Sequence, residues 1–194
     1  MIKENIIQSI EVKEKILQDE LFLERIEKVA EECIAAYQHG NKLLICGNGG
    51  SASDAQHMAG ELVGRYLLER KGIPAIALNA NTTVLTALGN DYSYEEVYAK
   101  QVAALGSAGD ILISISTSGN SANCVRASEQ AKKQGMTTIA LTGSSGGKLK
   151  EICDDTLNVP SDETPRIQEA HIMLIHIICG MIEAELDKSG FFAE

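Results

Sequence analysis

A histidine and a glutamate on one predicted helix are the first residues whose types and spacing could do chemistry. His57 and Glu61 are four residues apart, so a helix places them on the same face, and Arg65 continues that face by another turn. The pair could bind a divalent metal or transfer a proton, but pairs at this spacing are also common on solvated helix surfaces. The helix follows a glycine loop at the end of a predicted strand, where open α/β sheets bind ligands, and this position favours a site.

A second helix, near the C-terminus, carries polar residues that are costly to bury unless they are used. Arg166, Gln168, Glu169, His171 and His176 lie in an otherwise apolar segment. Gln168 and His176 are two turns apart, about 12 Å in rise, so they can share a metal only if both side chains lean inward. His171 points in another direction and is interpreted as a structural residue.

A glycine loop at residues 46–54 lies between a predicted strand and the helix of His57. It contains Asn48, Gly49 and Gly50. Its glycines permit positive φ and close approach of a ligand to the backbone. The same pattern is also typical of a tight strand-to-helix turn capped by a serine. Taken alone, this loop leaves both interpretations open.

A second loop, at residues 114–122, is rich in hydroxyl groups and again joins a strand to a helix. Ser116, Thr117, Ser118 and Ser121 can converge with the free backbone amides of the next helix on one anion. Capping alone needs one serine, so the density of hydroxyls favours a phosphate site. Neither loop carries a Walker lysine or a spaced dinucleotide fingerprint, and no nucleotide cofactor is expected.

Strands and helices must alternate to position these loops, and they do so after about residue 40. Short runs of branched residues predict five strands of a parallel sheet, at 43–46, 75–78, 111–115, 137–141 and 157–160. Residues 1–38 predict an amphipathic helix or helix pair for packing and oligomerisation, ended by Gly40. Residues 1–194 are therefore expected to form a single α/β domain.

The composition of the chain and its C-terminal helix limit the classes of partner that are expected. The net charge of −10, without a basic patch, disfavours nucleic acid and anionic membranes. No leader or long apolar span is evident, and the five cysteines are scattered, so a cytoplasmic protein with reduced thiols is expected. The helix at about residues 165–186 is apolar nearly all round. We expect it to be buried between subunits of a homo-oligomer.

Taken together, the motifs resemble those of the bacterial phosphoheptose isomerases, a family of the sugar-isomerase (SIS) domain. The resemblance rests on Asn-Gly-Gly-Ser at 48–51, Ser-Thr-Ser-Gly-Asn-Ser at 116–121 and Arg-Ile-Gln-Glu-Ala-His at 166–171, and it extends nearly end to end. It implies a three-layer sandwich with a five-stranded parallel sheet flanked by helices, assembled as a homotetramer with active sites between subunits. It also implies conversion of the phosphorylated seven-carbon sugar sedoheptulose 7-phosphate to D-glycero-D-manno-heptose 7-phosphate, the first step toward ADP-heptose or GDP-heptose for lipopolysaccharide or other surface glycans.

The resemblance also implies a role for each matching position. The implied substrate contacts are Asn48, Gly49, Gly50, Glu61, Asn90, Asp91, Ser116, Thr117, Ser118, Ser121 and Gln168. The implied ligands of one Zn²⁺ per subunit are His57, Glu61, Gln168 and His176. Glu61 is also the implied general base and His176 the implied general acid. Pro165 stands where some family members have an aspartate, which puts a catalytic role for that position in doubt.

A second hypothesis belongs to a different functional class. The replication-initiator-associating protein is a non-enzymatic tetramer that is similar in fold and loops but lacks the acid and base residues. Glu61 and His176 favour an enzyme over this binding protein. A regulatory sensor of sugar phosphates is left open as well.

Overall fold

Residues 1–193, described by a computed structural model, form five β-strands and eight α-helices. The strands are β1 (Leu43–Gly47), β2 (Ala75–Ala77), β3 (Ile111–Ile115), β4 (Thr137–Thr142) and β5 (Asp155–Asn158). The helices are α1 (Ile2–Gln18), α2 (Glu20–Gln38), α3 (Gly50–Val63), α4 (Thr82–Asp91), α5 (Val97–Leu105), α6 (Ala122–Lys133), α7 (Gly147–Ile152) and α8 (Thr164–Lys188).

The five strands form one parallel sheet in the order β2-β1-β3-β4-β5. Successive side chains of β1 enter two different apolar clusters, Leu43 and Ile45 in one and Leu44 in the other. Helices therefore cover both faces, which is why β1 and β3 are buried throughout and lack polar alternation. The predicted three-layer α/β architecture is confirmed. The strand order reverses between β1 and β3, and open α/β sheets bind ligands beside the carboxyl ends of the strands at such a reversal.

Four strands begin where the sequence predicts them, and the fifth begins two residues earlier than expected. Asp155 and Thr156 form the first half of β5, which pairs only with β4 at the edge of the sheet. An edge strand tolerates polar residues because one side faces solvent. The apolar run on which the prediction depends therefore covers only part of this strand. Pro160 cannot donate a backbone hydrogen bond and lies beyond its end.

The N-terminal extension is a pair of helices. The Asp19 side chain accepts a hydrogen bond from the Phe22 amide at 3.1 Å and so caps α2. Gly40 follows α2 with φ +79°, and the Asn41 amide donates to the Ala36 carbonyl at 2.9 Å, which closes the helix as a Schellman turn. The predicted glycine cap is present. Apolar residues of α1 that face solvent are Ile2, Ile6, Ile7 and Ile10.

Helix α8 is the central helix of one face of the sheet. It packs against α1, α2, α3 and β4. By length and composition it could cross a membrane, but half of its most apolar window is already buried within the chain, as in the core helix of a soluble protein. Burial within one chain accounts for much of the apolar character that the sequence attributed to a subunit interface. Ile177 remains 41% exposed, and the homo-oligomer stays a prediction. All five cysteines are free thiols, as expected.

Candidate active site

Helices α3 and α8 bring His57, Glu61 and His176 together. His57 Nε2 lies 3.0 Å from Glu61 Oε1 and 2.9 Å from His176 Nε2. One donor atom from each side chain lies within 4.8 Å of the other two. The packing of α3 on α8 creates the cluster, because Met58 and Leu62 bury the adjoining face of α3 in the core. The helical pair predicted from spacing is therefore joined by a histidine from a distant part of the chain.

The donors of this cluster suit a divalent metal ion. Two ring nitrogens that face each other at 2.9 Å can share only one proton, and the nearby carboxylate oxygen can only accept when ionised. A cation bound by all three donors would satisfy them together. Imidazole and carboxylate are ordinary ligands of first-row transition metals, and three protein ligands leave a position open for a substrate.

Gln168, the fourth predicted ligand, lies at the first loop. A Cβ atom at Gly50 would stand only 2.5 Å from Gln168 Nε2, so the glutamine occupies the space that a side chain would need. Gly49 has φ +57°, a conformation that favours glycine, at the start of α3. Both glycines are thus required by local geometry. The role of Gln168 as a metal ligand stays a prediction.

The second loop folds its hydroxyl groups over the N-terminus of α6. Ser116 Oγ lies 2.9 Å from Ser121 Oγ, and Ser118 Oγ accepts the Asn120 amide at 3.2 Å. Ser121 is the N-cap residue, but its side chain makes no capping bond to the helix. The Cys124 amide donates to Asn123 Oδ1 at 3.0 Å, so the amides of Ala122 and Asn123, the first two of α6, are the ones that can meet an anion. Gly119 is required here, because a Cβ atom would lie 1.9 Å from the Gly146 carbonyl oxygen.

A reciprocal pair of amides joins the two loops. Asn48 Nδ2 donates to Asn123 Oδ1, and Asn123 Nδ2 donates to Asn48 Oδ1, both at 2.9 Å. Tyr94 also donates its hydroxyl to Asn48 Oδ1, at 3.0 Å. Both the nitrogen and the oxygen of the Asn48 side chain are therefore used to hold the two loops together. Asn123 was not predicted from the sequence, where it is only an asparagine just after the hydroxyl loop; its burial is evident in the fold.

Asn90 and Asp91 are not joined to these groups. Both are exposed at the end of α4, and Asn90 Nδ2 donates to Asp91 Oδ1 at 2.9 Å. Within residues 1–193, no hydrogen bond links either side chain to the other predicted site residues. Their role as substrate contacts stays a prediction.

Two other residues singled out by the sequence lie outside the cluster. His171 is fully buried, and its Nε2 lies 3.1 Å from the Thr142 carbonyl oxygen. Burial lowers the pKa of His171 to about 4, although the bond to Thr142 opposes the shift, so the ring is neutral at pH 7. This agrees with a structural role. The prediction that Arg65 continues the face of His57 and Glu61 is wrong, because α3 ends at Val63. Arg65 is exposed, and its Nε lies 3.5 Å from Glu69 Oε2.

Comparison with known proteins agrees with these motifs. The SIS domain family matches residues 8–143. The phosphoheptose isomerase of Aneurinibacillus thermoaerophilus is 52% identical over 190 residues, which cover 98% of this chain and 96% of the relative. That of Clostridium acetobutylicum is 54% identical over 185 residues, which cover 95% and 94%.

Solved structures are similar over the same extent. A phosphoheptose isomerase from Francisella tularensis superposes with a TM-score of 0.90 at 40% identity and covers 94% of this chain and 96% of that one. The enzyme from Neisseria gonorrhoeae gives a TM-score of 0.88 at 44% identity, with coverage of 94% and 97%. The chain therefore belongs to the phosphoheptose isomerase family of SIS-domain proteins.

Proposed function

We propose that this chain is a phosphoheptose isomerase that interconverts sedoheptulose 7-phosphate and D-glycero-D-manno-heptose 7-phosphate. The observation that carries the proposal is the convergence of Glu61, His57 and His176 between α3 and α8. A hydroxyl loop suited to phosphate follows the neighbouring strand. The names of relatives about half identical over nearly the whole chain support the same substrate class.

The reaction needs a base, an acid and stabilisation of oxygen charge, because a proton must move between C1 and C2 through an enediol. Glu61 takes a proton from C1 of the ketose while the C2 oxygen accepts a proton from His176, whose Nδ1 carries it when Nε2 binds a metal, and this gives the enediol. Return of a proton to C2 and loss of the C1 hydroxyl proton give the aldose. The short distances within the cluster let one base and one acid reach adjacent carbons.

We propose Zn²⁺, one ion per subunit, as the metal of this site, held by His57, Glu61 and His176 with Gln168 as a fourth ligand. Zn–N bonds are about 2.0–2.1 Å long, so two ring nitrogens that bind one ion lie roughly 3 Å apart, and the 2.9 Å between His57 and His176 suits this. When bound, zinc would polarise the C1 and C2 oxygens as a Lewis acid.

The phosphate is proposed to bind Ser116, Thr117, Ser118 and Ser121 with the first amides of α6. The chain carries a net charge of −10, so a sugar phosphate needs such local donors to approach. The glycine loop and Gln168, which meet at Gly50, are proposed to contact the sugar. Asn90 and Asp91 are proposed substrate contacts on the strength of the family resemblance alone.

A homotetramer in the cytoplasm, without nucleic-acid or membrane partners, completes the proposal. The exposed isoleucines of α1 support assembly, since a row of large apolar side chains is costly in water. The non-enzymatic alternative is not favoured, because a binding protein has no need for an acid and a base beside a metal triad.

The experiment is isomerisation in D₂O. The zinc-loaded protein is incubated with sedoheptulose 7-phosphate, and aldose formation and deuterium at the exchanged carbon are followed by NMR. Proton transfer through an enediol predicts both signals, whereas a binding protein gives neither. Glu61→Gln is the matched control for adventitious catalysis. No aldose from a metal-loaded sample of native oligomeric state would refute the proposal.

A further inference from the structure

The ring of Tyr66 lies beside the ring of His176 and nearly parallel to it. The two ring centroids are 5.8 Å apart, and the planes are inclined by only 21°. The His57 ring meets His176 at 4.9 Å and 60°, so that contact is tilted. The imidazole of His176 therefore has an aromatic neighbour besides its partner in the cluster. Tyr66 belongs to the segment after α3, which runs from residue 64 to β2 and crosses α8.

Gly180 makes room for this ring. It lies on α8 one turn after His176, and a Cβ atom there would be 3.2 Å from Tyr66 Cε1 and 3.8 Å from Cδ1. A contact of 3.2 Å is tight for carbon, so a side chain would press the tyrosine away from the helix. A glycine inside a helix costs stability relative to alanine, and packing of Tyr66 gives a physical reason for it here.

A buried carboxylate holds the backbone around Tyr66. Glu183 is 1% exposed and accepts the backbone amides of Tyr66, Leu67 and Leu68 at 3.0, 2.7 and 2.9 Å. It also accepts Arg70 Nε at 2.8 Å. Burial alone would raise the pKa of Glu183, but the three amides and the guanidinium together lower it, so the carboxylate is charged at neutral pH.

Arg70 extends this network to the other side of the cluster. Its Nη2 donates to the Glu61 carbonyl oxygen at 2.9 Å, and its Nη1 donates to the Leu62 carbonyl oxygen at 3.0 Å. A buried ion pair is weak evidence for stability, because desolvation offsets much of its attraction. Its geometry is nevertheless specific: one pair fixes both the end of α3 that bears Glu61 and the segment that bears Tyr66.

We propose that Tyr66 is a positioning residue for His176, seated by Gly180 and by the Arg70–Glu183 ion pair. The flat face of the tyrosine limits rotation of the imidazole and keeps Nε2 directed at His57. The phenyl face does this, so the hydroxyl is dispensable. This inference rests on the proposed function, in which His176 is a metal ligand and proton donor.

The test compares Tyr66→Phe with Tyr66→Ala by two measurements. The first is the chemical shift of the His176 ring protons in metal-free protein, which is readily assigned because the chain has four histidines. The second is zinc affinity by competition with a chelator. Tyr66→Phe should keep both values. Tyr66→Ala should lose the ring-current shift and bind zinc about 10- to 100-fold more weakly, the usual effect of removing a residue that orients a ligand.

Two further variants separate positioning from folding. Gly180→Ala should leave the unfolding midpoint unchanged or raise it, because alanine favours helix, while it weakens zinc binding by displacing Tyr66. Leu67→Ala is the matched control in the same segment: Leu67 is 71% exposed, and its backbone amide still donates to Glu183. That variant should behave like the unchanged chain in both measurements.

Zinc affinity and His176 shifts that stay the same in Tyr66→Ala would overturn the inference. Equal losses in Tyr66→Phe and Tyr66→Ala would overturn it as well, because the hydroxyl would then be the active group. If the unchanged chain binds no zinc, the metal assignment fails, and the His176 shifts, which need no metal, still decide whether Tyr66 orients the ring.

Discussion

Replacing Glu61 with glutamine tests the proposed base directly. The substitution keeps the size of the side chain and an amide oxygen, but it removes the proton acceptor. Turnover should fall by about 10² to 10⁴, which corresponds to about 2.7 to 5.5 kcal/mol in the activation barrier. Stability should change little, because the Glu61 side chain is 24% exposed and its contact with His57, 3.0 Å long, is worth under about 1 kcal/mol.

The assay measures kcat by NMR alongside metal content and oligomeric mass on the same sample, since loss of zinc would imitate loss of the base. Glu69→Gln is the matched control: Glu69 is 92% exposed, lies in the segment after α3 and pairs loosely with Arg65 at 3.5 Å. It should retain normal turnover. A Glu61→Gln sample with full metal, native mass and near-normal kcat would remove Glu61 from the mechanism.

Four other predictions follow from the same geometry. Ser118→Ala should raise KM more than it lowers kcat, because loss of one phosphate hydrogen bond costs about 1.5 to 3 kcal/mol; an unchanged KM would contradict the phosphate site. Asn123→Ala should lower the free energy of unfolding in urea by about 1 to 3 kcal/mol, because it removes the oxygen that accepts from Asn48 Nδ2, and it should raise KM as the two loops separate. Acid should destabilise the fold through His171, whose pKa of about 4 in the native state lies below its ordinary 6.5: the stability it contributes is complete above pH 6.5 and is lost, by about 1.4 kcal/mol per pH unit, as pH falls toward 4. His171→Gln should flatten that part of the pH profile, and an identical slope would argue against burial of a neutral ring. Light scattering at micromolar concentration should give a multiple of the 20.8 kDa subunit mass, and a monomeric mass would refute the oligomer.

The sheet was predictable because its central strands are buried on both faces. Such strands have no polar alternation, so their apolar runs coincide with the strands themselves, as at Ile111–Ile115. The prediction was least accurate at β5, where Asp155 and Thr156 belong to an edge strand and carry no hydrophobic signal. The cap at Gly40 was predictable for a different reason, because a glycine just after an amphipathic helix is a local signal.

The site was only partly predictable, because its parts differ in sequence separation. His57 and Glu61 are one turn apart, and spacing alone pairs them. His176 is 119 residues away from His57, and only the family resemblance suggested that they share a metal. The Asn48–Asn123 hydrogen bond joins residues 75 positions apart, and no local sequence pattern predicts it. Tertiary packing determines long-range pairs of this kind, and it produces no periodic pattern in the sequence from which they could be predicted.

The spacing along α8 has a consequence for how this sequence can change length. His176, Gly180 and Glu183 follow one another at intervals of four and three residues, so they fall on one stripe of the helix. A single inserted residue between them would turn everything beyond it by about 100° and shift it by about 1.5 Å. The glutamate would then leave the amides after α3, and the glycine would leave the tyrosine ring. An insertion or deletion of one residue in this stretch of α8 would therefore be more damaging than most single substitutions, because it would misplace Gly180 and Glu183 together.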